Sequence, residues 1–199
     1  MPRTLDPVRR ERQHGRVFDL DGFLSDLVAC LDEPDSRRAA KDVLERALAA
    51  PDAVTDAIAP PRGGINLLHH TPELTVINVA WAPKMQLMPH DHRMWALIGI
   101  YTGTEDNQFY RRADGGGIAE TSGRRITTGE VCALGTDTIH SVANPADRLT
   151  GAIHVYGGDF VNRPRSQWGP GERVEQPYDM AEFIRQFDDA NVAAGLTAD

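Results

Sequence analysis

Histidine placement constrains this chain more than any other feature. His90-Asp91-His92 is followed about fifty positions later by His140, inside the run 129–144. A β-strand repeats its side-chain direction every two residues, so His90 and His92 leave the same face of one strand. Two neutral imidazoles about 7 Å apart along a strand can converge on one ion. A third donor, His140, arriving from a strand distant in sequence, closes the triangle. A facial set of this kind leaves coordination positions open, as a catalytic metal requires.

The surrounding texture fits a β-rich core. From Ile65 onward, short β-type runs alternate with turns, clearest at 74–80, 94–101, 108–112, 131–134, 141–143 and 151–156. Asp114-Gly115-Gly116-Gly117 predicts a turn, and Glu105-Asp106 reads as another. Upstream the period is helical. Asp21 can cap a helix whose apolar face is Phe23, Leu24, Leu27, Val28 and Leu31. Pro34-Asp35-Ser36 breaks it and starts a second, with Ala40, Val43, Leu44, Ala47 and Leu48 inward. Pro51 suits the first turn of a third, which ends before Pro60-Pro61. Near the end, Met180, Phe183, Ile184 and Phe187 are spaced for a C-terminal helix. The expected division is a flexible N-terminal segment (1–16), a helical extension packed on the barrel (17–64), and an all-β barrel with its C-terminal helix (65–199).

Composition excludes several classes. A net charge of −8 argues against nonspecific nucleic-acid binding. No apolar run approaches the roughly 20 residues of a membrane helix. Residues 1–16 are charged and lack the apolar core of a signal peptide, which predicts a cytoplasmic protein, monomeric or homodimeric. Cys30 and Cys132 read as small buried apolar residues.

Pro89-His90-Asp91-His92 followed by Gly103 resembles the first cupin motif, and 129–144, ending His140-x3-Asn144, resembles the second. That resemblance implies a double-stranded β-helix, a jelly-roll barrel with a metal inside its mouth. The commonest cupin pattern adds a Glu ligand four residues after the second His. Here that position is Ala96, so the implied metal ligands are His90, His92 and His140 without a carboxylate. Thiol dioxygenases of the cysteine dioxygenase type share that three-His pattern. Trp81, the segment His140-Ser141-Val142-Ala143-Asn144-Pro145 and the strand Ala152-Ile153-His154-Val155-Tyr156 resemble theirs. The chain is also similar to uncharacterised bacterial proteins described as metal-dependent double-stranded β-helix enzymes.

The resemblance implies that His154 and Tyr156, which share a strand face, support the metal site, and that Trp81 lines the pocket. The chain departs from the family elsewhere. The position of its carboxylate-gripping Arg falls near Gly64 or Ile65, with Arg62 the nearby candidate; Arg111 or Arg112, on opposite faces of a strand, could serve instead. The family Ser before the His is Ala152, and the Cys that crosslinks to Tyr in animal enzymes falls at Ala96. The expected substrate is therefore a small thiol other than free cysteine. The resulting reading is a non-haem iron(II) dioxygenase that oxidises a thiol to a sulfinate with O2. Imidazole donors also suit zinc, nickel and copper, and manganese is a further alternative. The rival readings are a cupin dioxygenase that cleaves C–C bonds and a non-catalytic cupin that binds a metal or ligand.

Overall fold

The structure, a computed structural model, describes residues 17–114, 117–169 and 174–196. The expected flexible segment 1–16 and the Gly115-Gly116 tip of the predicted turn lie outside the described residues. Three helices open the fold: α1 (Leu20–Ala29), α2 (Ser36–Leu48) and α3 (Pro51–Ile58), with a 3-10 turn at Cys30–Asp32. Asp19, not Asp21, caps α1, accepting the Gly22 N–H at 3.0 Å. Asp21 sits inside the first turn, where its charge complements the positive end of the helix. Asp35 caps α2 in the same way, and Pro51 stands at the start of α3. No described helix is long and apolar enough to cross a membrane.

Eleven strands follow among the described residues: β1 (Gly64–His70), β2 (Thr75–Trp81), β3 (Gln86–Asp91), β4 (Ala96–Thr102), β5 (Thr104–Arg112), β6 (Ile118–Thr127), β7 (Val131–Leu134), β8 (Ile139–Ala143), β9 (Thr150–Tyr156), β10 (Ser166–Trp168) and β11 (Glu175–Pro177). Helix α4 (Met180–Ala193) ends the fold. The strands form two antiparallel sheets, ordered β1-β2-β9-β4-β7 and β11-β10-β3-β8-β5-β6. From β2 to β10 the chain crosses from sheet to sheet at each connection except the β5–β6 hairpin. That interleaving is the expected double-stranded β-helix, an all-β jelly roll with helices at its ends.

Alternation sorts the side chains between two cores. Ile77, Val79 and Trp81 of β2, Ile98 and Ile100 of β4, and Ala152 and Tyr156 of β9 face the second sheet, meeting Leu87, Ile126 and Val142. The opposite faces of the same strands, carrying Val76, Leu97, Ile153 and Val155, receive Leu27, Val43, Leu44 and Leu48 of the helices. Strands covered on both faces read as continuous apolar runs, which is why β2, β4 and β9 were conspicuous in the sequence. The strands with weak signals have physical reasons for them. Pro89 interrupts β3, and β6 is mostly exposed polar residues at a sheet edge.

Helix α2 approaches β4 closely at Gly99. A Cβ there would lie 2.6 Å from Leu48 Cδ1 and 2.9 Å from Leu44 Cδ2. At the other end, Phe183 and Phe187 of α4 enter the inter-sheet core. Asn191 anchors the helix by exchanging two hydrogen bonds with the Gly63 backbone, at 2.8 and 2.9 Å. Gly99→Val is expected to destabilise the fold by about 1–3 kcal/mol through overpacking, measured by denaturant unfolding. An unchanged midpoint would mean that α2 is not held against β4.

Candidate metal centre

Strands β3 and β8 are neighbours, and His90 stands directly opposite His140 in their register. Their ring centroids are 4.6 Å apart. His92 lies one residue past the end of β3, before a turn in which Arg93 takes a φ of 56°. Its ring still reaches the same side, 5.0 Å from each of the other two. One ring nitrogen from each histidine lies within 4.8 Å of the others. His92 Nε2 and His140 Nε2 are 3.4 Å apart. Two nitrogens bound about 2.0–2.1 Å from one ion, at angles between a right angle and the tetrahedral value, stand roughly 3 Å apart. The spacing therefore fits a shared ion. No Cys, Asp or Glu joins the three among the described residues.

The electrostatics also suit metal binding. All three rings are buried, between 1% and 5% exposed. Burial lowers the pKa of His90 to about 4. Burial, deepened by the neighbouring histidines, holds His92 and His140 well below the usual imidazole range. The rings are thus neutral donors. His90 Nδ1 lies 3.0 Å from the Met88 carbonyl and His140 Nδ1 lies 2.7 Å from Asn107 Oδ1. Both partners accept, so both Nδ1 atoms carry the proton and both Nε2 lone pairs are left for a ligand.

The cavity holding these rings is also lined by Trp81, His154, Tyr156, Phe160, Tyr178 and Phe183, so three further expected site residues line the same cavity as the three histidines. The volume open to the centre of a water molecule is about 10 Å³, enough for one small occupant. Tyr178, just before α4, and Phe183, within it, belong to that lining. His154 Nδ1 is 2.9 Å from the Tyr156 hydroxyl, and Tyr156 packs edge-on against His92 at 5.1 Å. Burial pushes the Tyr156 phenol far above its ordinary pKa, so it stays protonated.

Arg62 and Arg111 do not join this group. Arg62 is exposed before β1, and Arg111 is exposed at the end of β5. Arg112 is drawn instead into a network with Asp91 and Glu175, which ties β11 toward β3. A buried guanidinium, Arg165, lies behind the lining residues Phe160 and Tyr178 and does not itself line the cavity; it is 7% exposed and unflagged by any sequence pattern. It is sandwiched between the Phe160 and Tyr178 rings at 4.0 and 4.1 Å. One amino group donates to the Phe160 carbonyl, while Nε and the other amino group have no hydrogen-bond partner. Its charge contributes to the lowered pKa of His90 and His92.

Glu105 was also missed. It is not in a turn but wholly buried on β5, with its pKa pushed up to about 7 by burial against the pull of hydrogen bonds from Asn107 and Trp81. The signal was present. Glu105, Asn107 and Phe109 share one strand parity, and Phe109 packs on the core.

No protein-family model matches the chain. Among solved structures it is similar to KdgF from Halomonas sp., at 16% identity over 51% of this chain and 84% of that one, with a TM-score of 0.39. A cupin superfamily protein from Desulfitobacterium hafniense matches at 11% identity over 53% and 88%, with a TM-score of 0.43. An RmlC-like cupin family protein from Methanocaldococcus jannaschii matches at 10% identity over 51% and 85%, with a TM-score of 0.43.

A three-donor site has no spare ligand. His90→Ala, His92→Ala and His140→Ala should each remove most of the bound metal, read by elemental analysis, while the far-UV circular dichroism stays that of the parent. Stoichiometric metal in all three variants would place the ion elsewhere.

Proposed function

We propose that the protein is a non-haem iron(II) dioxygenase of the thiol dioxygenase type, acting on a small thiol that also carries an anionic group. The observation that carries this reading is the convergence of three neutral imidazoles with no carboxylate among them, in a buried cavity beside an unpaired guanidinium. Neutral donors leave the charge of a divalent ion uncompensated, which favours a thiolate as a further ligand. Iron(II), held by His90, His92 and His140, would supply the redox chemistry that lets O2 react with a thiolate.

The protein groups orient and exclude. Arg165 meets the negative end of the substrate with the two donors it has free, taking the part first assigned to Arg62 or Arg111. Tyr156, held by His154, presents a protonated hydroxyl to the reacting sulfur and oxygen atoms. Tyr178 and Phe183 have to move for entry and exclude bulk water on return. The stoichiometry is self-contained. Sulfur loses four electrons in becoming a sulfinate, O2 gains four, both oxygen atoms enter the product and the thiol proton is released. No separate reductant is consumed.

Anaerobically iron(II)-loaded protein given O2 and a panel of small anionic thiols should consume one O2 per sulfinate formed, followed by an oxygen electrode and mass spectrometry. Oxygen uptake with a carbon-oxidised product would favour C–C cleavage. No uptake with any substrate would favour a metal- or ligand-binding role. With a substrate in hand, Arg165→Ala should lower kcat/KM roughly 10- to 100-fold, the scale of losing a hydrogen bond to a charged group, with metal content unchanged. An unchanged kcat/KM would remove Arg165 from the substrate site.

A further inference from the structure

The buried acid behind the site has a role that ligand geometry alone does not assign. Glu105 is 0% exposed. A buried carboxylate is costly unless its oxygens are satisfied, and no Lys or Arg pairs with this one among the described residues. Its Oε2 accepts from Trp81 Nε1 at 2.6 Å and its Oε1 from Asn107 Nδ2 at 2.9 Å. The Asn107 Oδ1 then accepts from His140 Nδ1 at 2.7 Å. A carboxylate only accepts, whereas an amide accepts at one end and donates at the other. The acid therefore dictates which way the Asn107 amide faces, and the amide dictates which His140 nitrogen holds the proton.

We propose that Glu105 is a positioning residue for the metal centre: through Asn107 it holds His140 in the Nδ1–H tautomer, which leaves Nε2 as the ligand atom. This rests on the three-histidine centre and not on the reaction assigned to it. An amide at position 105 would keep its oxygen on Trp81 and turn its NH2 toward the NH2 of Asn107. Asn107 relieves that clash by turning over, which offers its NH2 to His140. His140 Nδ1 then becomes an acceptor, its proton moves to Nε2, and the lone pair facing His92 is lost. The same carboxylate faces His154 Nε2 at 3.9 Å. That is beyond hydrogen-bond range, and His154 Nε2 has no hydrogen-bond partner.

Long-range 1H–15N correlation spectra of the metal-free protein at pH 8.5, where Glu105 is ionised, read the tautomer directly. The parent should show His140 as Nδ1–H. Glu105→Gln should convert it to Nε2–H and weaken Co(II) binding about 10- to 100-fold, the usual cost of losing a residue that orients a metal ligand, measured against a chromophoric chelator. The double variant Glu105→Gln/Asn107→Asp should restore both properties. In it the glutamine NH2 donates to the new carboxylate, which accepts from His140 Nδ1. A purely structural role predicts no such rescue. An Nε2–H tautomer in the parent, an unchanged tautomer and affinity in Glu105→Gln, or a double variant as weak as the single would each overturn the assignment. If Glu105→Gln does not fold, the parent tautomer and the double variant decide. A parent that takes up no Co(II) would refute the metal centre instead, while the tautomers would still test Glu105.

Discussion

The pairing of His90 with His140 across β3 and β8 is the contact on which the site depends. A slip of one residue would turn every side chain of β8 to the opposite face and take His140 out of the cavity. The ladder is anchored at one end, beyond an irregularity in register between Leu87 and His90. Leu87 and Val142, paired in the same ladder, are buried in the inter-sheet core. Asn144, just past β8, donates to the Trp81, Ala82 and Arg148 carbonyls at 2.8–3.0 Å and accepts from Ala146 N and Thr150 Oγ1. The Asn of the His-x3-Asn motif is thus a structural clamp. It locks the end of the ligand-bearing strand to the opposite sheet.

Around that register the interior holds an unusual set of polar groups. Three imidazoles, an imidazole–phenol pair, a carboxylate and a guanidinium are all buried, and each would be unfavourable alone. The imidazoles become neutral. The carboxylate is satisfied by two N–H donors. The guanidinium is cushioned by two aromatic faces and one carbonyl, and keeps donors free. Among the buried side-chain atoms left without a hydrogen-bond partner are His92 Nδ1, His154 Nε2 and, on Arg165, Nε and one amino group; the proposed function assigns an anion to Arg165 and a metal to the converging histidines. Incomplete satisfaction in a well-packed core is a usual mark of a binding site.

The fold was legible where burial left a period. Two-sided burial made β2, β4 and β9 stand out as apolar runs, and one-sided packing gave α1, α2 and α4 their helical spacing. The histidine triangle was legible because two ligands lie two residues apart and the third ends a recognisable motif. Arg165 was not legible. It precedes a three-residue strand, and its burial depends on Phe160 and Tyr178, which come together only in three dimensions. Glu105 was misread because an acidic pair suggests a turn, and only the inward parity shared with Asn107 and Phe109 shows otherwise. The cap of α1 moved from Asp21 to Asp19 because both are good capping residues and apolar periodicity does not choose between them.

The central claim is that one divalent ion is held by three neutral imidazoles and by no protein carboxylate or thiolate. X-ray absorption at the iron edge, on protein loaded anaerobically with one equivalent of iron(II), tests it most directly. The account predicts a first shell of nitrogen and oxygen donors only, with outer-shell scattering from three imidazole rings. A sulfur donor from the protein, a bound carboxylate, or scattering from fewer than three rings would contradict it.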